Sequence, residues 1–88
     1  MEAISIAMES ALVLLNCQSG CEQIVMQAIR RMPEVVEANF VFGGYDIVAK
    51  VAAETMERLK AVVSWKIRKL DGVKTGLTLI RQENEVRT

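Results

Sequence analysis

The residues of this chain best suited to chemistry sit in one short run, Phe42-Gly43-Gly44-Tyr45-Asp46. Adjacent glycines let a ligand approach the backbone closely, and the amides they expose can bind a carboxylate. Asp46 can accept from an ammonium, so the run has the makings of a site for a small zwitterion. The same residues also spell an ordinary hairpin turn with a solvated aspartate, and the run alone does not choose between the two. Thr75-Gly76-Leu77-Thr78 is a second candidate. The hydroxyls of Thr75 and Thr78 could add two hydrogen bonds near that hairpin, although threonine in a strand is commonly there for its shape.

Other chemistry is largely excluded. The chain contains no histidine, which removes the commonest general base, most zinc sites and every Ser-His-Asp or Cys-His nucleophile. Cys17 and Cys21 are too few for a disulfide scaffold, and a reducing compartment is the simplest setting. With no histidine or carboxylate pair beside them they do not make a metal site. Cys21 reads as a buried thiol. Lys66, Arg68, Lys69 and Lys74 form a small basic cluster that reads as a solvated helix end. Trp65 falls off the neighbouring apolar stripe, at the core edge or against another subunit. No catalytic residue, metal or cofactor is expected.

These residues must be positioned by a small frame. The sequence has 88 residues, with 11 basic against 11 acidic side chains and a formal charge of zero. One domain fits that length. A hydrophobic content of 51% with 25% charged residues describes a soluble globule and not a disordered chain. Charge neutrality argues against direct nucleic-acid binding, which needs a basic surface. Neither a signal peptide nor a membrane span is visible, so a cytoplasmic protein with no membrane partner is expected.

Ala11–Asn16 is a compact apolar run that predicts a strand buried on both faces. Ser19-Gly20-Cys21-Glu22 matches a capping box, and Cys21, Ile24, Val25, Ala28, Ile29 and Met32 then mark one helical face. Arg30 and Arg31 suit the helix end, and Pro33 stops it. Val35–Phe42 alternates as a strand, with Val36, Ala38, Phe40 and Phe42 on one face and Val35, Glu37, Asn39 and Val41 on the other. After the glycine hairpin, Asp46–Ala53 returns as a strand. Thr55 caps a second helix with the stripe Met56, Leu59, Val63, Ile67 and Leu70, ended by Asp71-Gly72, and Val73–Ile80 is the last strand.

The order β-α-β-β-α-β is the split βαβ, or ferredoxin-like, arrangement of the α+β class. Right-handed crossovers place both helices on one face of a four-stranded antiparallel sheet. The opposite face is left bare and apolar, which predicts that two copies pair through it. Residues 1–9 form an N-terminal extension, 10–81 the domain and 82–88 a polar tail. In the extension Ile4, Ile6 and Met8 alternate with Ala3, Ser5 and Ala7, a pattern that extends the first strand or pairs with a neighbouring chain.

From about Ala11 to Arg81 the chain resembles the effector-binding domain of the Lrp/AsnC transcriptional regulators, also called the RAM domain. The resemblance is carried by A-L-V-L-L-N-C, M-P-E-V-V-E-A, F-G-G-Y-D-I-V-A-K-V, T-M-E-R-L-K, I-R-K-L-D-G-V-K and T-G-L-T-L-I. The hairpin piece is the most specific. It implies a dimeric α+β barrel formed through sheet faces, dimers joined into rings that are often octamers, and an amino-acid effector held between dimers. By position, Gly43, Gly44, Tyr45 and Asp46 match the glycine-loop motif, and Thr75 and Thr78 match the last-strand threonines. Only Met1–Glu9 precede the first strand, too short for the helix-turn-helix of full-length members. The chain is therefore expected to be a stand-alone effector domain or an excised piece of a longer regulator, the stand-alone form favoured, sensing a small amino acid and acting on full-length Lrp/AsnC-type regulators as partners. Two other classes remain beside it: a purely structural oligomeric partner without a ligand, and a small dimeric α+β barrel enzyme using Tyr45 and Asp46.

Overall fold

Strand β1 (Glu9–Cys17) shows how one apolar run serves two surfaces. In the computed structural model, which describes residues 8–81, Ala11, Val13, Leu15 and Cys17 are buried, every second position as the pleat dictates. Burial on both faces, expected from the run, does not hold within one protomer. Leu12 is 44% exposed and Leu14 only half-buried, because both helices cover the same side. The alternating residues before Met8 and the polar tail after Arg81, with the expectations attached to them, lie outside the described residues.

Helix α1 (Glu22–Arg30) corrects two expectations. Ser19 does not cap it: Cys21 holds the cap position without a side-chain bond, and the Glu22 carboxylate accepts from the Gly20 N–H at 3.1 Å. Gly20, at φ +89°, turns the chain so that the helix starts later than a capping box on Ser19 requires. The buried side chains are Val25, Met26 and Ile29, while Ile24 is 64% exposed. Ile24 and Met26 lie about 200° apart around the axis, so only one can join Val25 and Ile29 against the sheet. The unbranched methionine fills that place. At the other end, Arg30 donates to the Ala38 carbonyl at 2.9 Å.

Strand β2 (Val35–Phe40) is shorter than expected and bulged. Its register shifts between Val35, opposite Val51, and Glu37, opposite Lys50. Val36 is the extra residue and stands exposed, and Val35 packs on the core side with Ala38. The expected face assignment therefore fails at Val35 and Val36. An edge strand tolerates this, since its outer hydrogen-bonding groups have no partner to lose.

Strand β3 (Ile47–Ala53) buries Ile47, Ala49, Val51 and Ala53. Thr55 caps helix α2 (Met56–Ala61), accepting from the Arg58 N–H at 3.1 Å. The helix then widens into a π-helical segment, Val62–Ile67, with the Arg68 N–H bonded to the Val63 carbonyl at 2.9 Å. Leu59, Val63 and Ile67 recur every four residues, a spacing that drifts off an α-helical face and suits the wider turn. Val62 is buried with them, while Met56 and Leu70 pack at the rim.

Strand β4 (Val73–Ile80) pairs with β1, giving a four-stranded antiparallel sheet in the order β2-β3-β1-β4. This is the expected βαββαβ fold. Gly72 is required at its entry: φ is +99°, and a Cβ there would lie 2.9 Å from Cys21 Cβ. Its carbonyl accepts from the Gln18 N–H at 2.7 Å, joining β4 to the turn before α1. The open sheet face carries Leu12, Leu14, Val48, Leu77 and Leu79, with Glu37 opposite Lys50. Among the described residues no helix is long and apolar enough to cross a membrane.

Candidate functional site at the hairpin end of the sheet

Beyond Phe40 the chain turns through Val41–Asp46, closed by the Val41 N–H donating to the Asp46 carbonyl at 2.9 Å. Gly43 has φ +111°, which an L side chain rarely adopts, whereas Gly44 has no such constraint. A Cβ on either would meet nothing within 4 Å, and Phe42 is fully exposed. The glycines therefore form an open ledge. Tyr45 is half-buried between the ledge and Asp46.

Asp46 fixes the ledge to the sheet. Its N–H donates to the Leu15 carbonyl at 2.9 Å, and its Oδ2 accepts from the Cys17 N–H at 2.7 Å. An ionised carboxylate accepts several donors, so this bond leaves Asp46 able to receive an ammonium as well. The β1–β4 register shifts at Asn16 and Cys17, which is where the Cys17 amide turns to this side-chain acceptor. Burial pushes the Cys17 thiol above its ordinary value, helped by the charges of Asp46, Glu22 and Cys21. Cys17 is thus a protonated, packed thiol and not a nucleophile. Among the described residues no group of three or more His, Cys, Asp or Glu could hold a metal.

Thr75 lies at the same end of the sheet, opposite Asn16, whose Nδ2 donates to Thr75 Oγ1 at 3.2 Å. Sequence reasoning did not single out Asn16. Its signal was an amide closing an apolar strand, where a polar side chain has no packing reason to stand. Thr78 does not join the group. It pairs with Val13, on the helix-covered side, because residues three apart on a strand point to opposite faces. The structure thus gathers Gly43, Gly44, Tyr45, Asp46, Asn16 and Thr75 at one end and places Thr78 beneath the second helix.

Comparison with known proteins agrees with this frame. The family described as the Lrp/AsnC ligand binding domain matches residues 10–88. The regulatory protein AsnC of Haemophilus influenzae is 34% identical over 74 residues, 84% of this chain and 49% of that protein. The chain spans about half the length of the curated relatives it matches. TTHA0845 of Thermus thermophilus superposes with a TM-score of 0.81 at 34% identity, covering 90% of this chain and 99% of that one. The transcriptional regulator NMB0573 of Neisseria meningitidis, solved as its L-Met complex, shares the fold at 15% identity, with a TM-score of 0.76 over 91% of this chain and 53% of that one. With this sheet order, these helices and this extent of match, the chain belongs to the Lrp/AsnC ligand-binding domain family.

Proposed function

We propose that this domain is an amino-acid-binding effector and assembly module that does no chemistry of its own. The observation that carries the reading is the open Gly43-Gly44 ledge with the Asp46 carboxylate beside it, at one end of an apolar sheet face that the described residues leave uncovered. A ledge of exposed amides can take a ligand's carboxylate, Asp46 its ammonium, and Asn16 and Thr75 a polar side chain. Open on one side, such a ledge encloses a ligand only when a second copy closes it. Binding is then linked to assembly, since a ligand favours whichever state holds it more tightly.

The assembly proposed is a dimer through the open sheet faces, with dimers joining into a larger ring such as an octamer. Through it the domain acts on Lrp/AsnC-type regulators without touching nucleic acid itself. The co-crystallised L-Met of NMB0573 supports the ligand class, and the regulator names of the relatives support the setting.

A thermal-shift panel of the twenty amino acids, read beside light scattering, tests this. One or a few amino acids should raise the midpoint, by about 2.7 kcal/mol of added stability at a hundredfold excess over Kd. Gly44→Val should abolish that response and leave the unliganded midpoint in place, because the added side chain meets nothing within the protomer. A strict monomer with no response to any amino acid would sink the proposal.

A further inference from the structure

Strands β2 and β4 stand at the two edges of the sheet, away from its open face. An edge strand offers a row of unspent N–H and C=O groups, a template on which a strand of another molecule can pair. On β4 the Arg81 N–H donates to the Ser10 carbonyl at 3.0 Å, so the odd-numbered residues face β1. Gly76, Thr78 and Ile80 therefore turn their backbone groups outward. On the other side, the Ala52 N–H donates to the Glu34 carbonyl at 2.9 Å, which turns the even-numbered residues of β3 toward β2. Glu37 and Asn39, in register with Lys50 and Val48, answer them, and Ala38 and Phe40 face outward.

In each row one carbonyl is already taken. Arg30, at the end of α1, donates through Nη2 to the Ala38 carbonyl at 2.9 Å. Arg68, after the π-helical segment, donates through Nη2 to the Gly76 carbonyl at 3.0 Å. Each arginine stands eight residues before the carbonyl it reaches, so the two halves of the fold repeat one device. Both carbonyls belong to small residues. At Gly76 a Cβ would come within 3.2 Å of Arg68 Nε and 3.1 Å of Leu15 Cδ2. Glycine inside a strand weakens it and marks a close approach, and here the approach is that of the guanidinium.

We infer that Arg30 and Arg68 guard the sheet edges, closing them to the edge strand of a second copy of this chain. Each guanidinium fills the acceptor that an incoming N–H needs and sets a cation where that donor would come. Strand β4 needs the guard more. From Thr75 to Ile80 it reads T-G-L-T-L-I, uncharged and rich in strand formers, a composition that stacks into sheets when its edge is free. Strand β2 carries Glu37 and is further broken by the bulge at Val36, itself a defence of an edge. Arg68 is therefore the more consequential of the two. The inference concerns the edges alone and stands whether or not the open faces pair.

The test compares Arg68→Met, Arg30→Met and the double variant with Arg31→Met and Lys60→Met, which remove the same charge at other exposed helix positions. Thioflavin fluorescence and light scattering across concentration follow assembly, and amide hydrogen exchange locates it. Arg68→Met should form stacked-sheet assemblies at a concentration about tenfold below that of the native chain. Arg30→Met should change that concentration less, the double variant most, and the two controls hardly at all. The Thr78 and Ile80 amides should exchange freely in the native chain and become protected in the variant assemblies. Gly76→Ala keeps every charge and, by displacing the guanidinium, should act in the same direction as Arg68→Met. Urea midpoints of the dilute variants, expected near the native one, separate edge pairing from aggregation of unfolded chain. Equal behaviour of Arg68→Met and Lys60→Met, assembly that leaves Thr78 and Ile80 unprotected, or protection of those amides in the native chain would each overturn the inference.

Discussion

On the helix-covered side of the sheet, Val13, Leu15, Ile47, Ala49 and Val51 are fully sealed, while on the open side Leu12, Leu77 and Leu79 each keep two-fifths or more of their surface in water. The residues on the two sides are chemically alike, and along β1 they alternate on one strand, Val13 and Leu15 sealed and Leu12 and Leu14 open. What differs is the covering. The second side has the composition of an interior over which the described residues place no layer, the signature of a face that another molecule completes. One side holds the protomer together, and the other holds the proposed assembly together.

The largest break in this comparison comes from the sealed side. Leu15→Ala should cost about 3 kcal/mol in urea unfolding, from lost burial plus an unfilled cavity. The same contrast appears inside α1. Met26→Ala should cost about 2 kcal/mol or more, whereas Ile24→Ala, on the exposed side of the same helix, should stay within about 0.5 kcal/mol. Equal costs at Met26 and Ile24 would contradict the helix orientation.

Leu12→Lys sharpens the comparison from the other side. It sets a second cation near Lys50, its pairing partner on β3, in the middle of the open face. Assembly should weaken by about 2 kcal/mol, near thirtyfold in dissociation constant, as read by sedimentation or light scattering across concentration. Unfolding of the separated protomer should hardly move. A variant that unfolds like Leu15→Ala would mean the open face contributes to the protomer's own core, and an unchanged assembly would move the interface elsewhere.

Much of this was legible in the sequence, for reasons that also mark where legibility stops. Element order follows from Pro33, Gly43-Gly44, Thr55 and Gly72, whose backbone demands are local and do not wait for tertiary packing. The bulge at Val36 and the choice of Met26 over Ile24 were not legible. Each is settled by which side of an element its neighbours cover, and apolar residues stand on both sides of both elements. At the candidate site, the glycine ledge and Asp46 could be read from residue type, but the Asp46 bond to the Cys17 amide depends on where β1 ends beside the hairpin. Thr75 and Thr78 show the limit most plainly. A shared motif suggests one site, yet the two-residue period of a strand sends their hydroxyls to opposite faces, and only Thr75 finds Asn16.

The smallest expected effect lies at the seam between β2 and α2, away from either face. Glu34 accepts from Lys66 Nζ at 3.2 Å and lies 3.6 Å from Arg58 Nη2. Burial by itself would raise its carboxyl, but a backbone hydrogen bond, the Lys66 hydrogen bond and the charges of Lys66 and Arg58 outweigh it and hold the group below its ordinary value. Both cations remain largely in water, so Glu34→Gln should cost under about 1 kcal/mol at neutral pH. The sign of the pH dependence follows from the direction of the shift. A carboxyl lowered by folding stabilises fully above its unfolded value of about 4.3, and that contribution fades as pH falls through the lower folded value. Between about pH 5 and pH 3 the native chain should therefore lose slightly more stability than Glu34→Gln, and the two urea midpoints should converge. Parallel profiles across that window would show that the ion pairs of Glu34 contribute nothing to the seam.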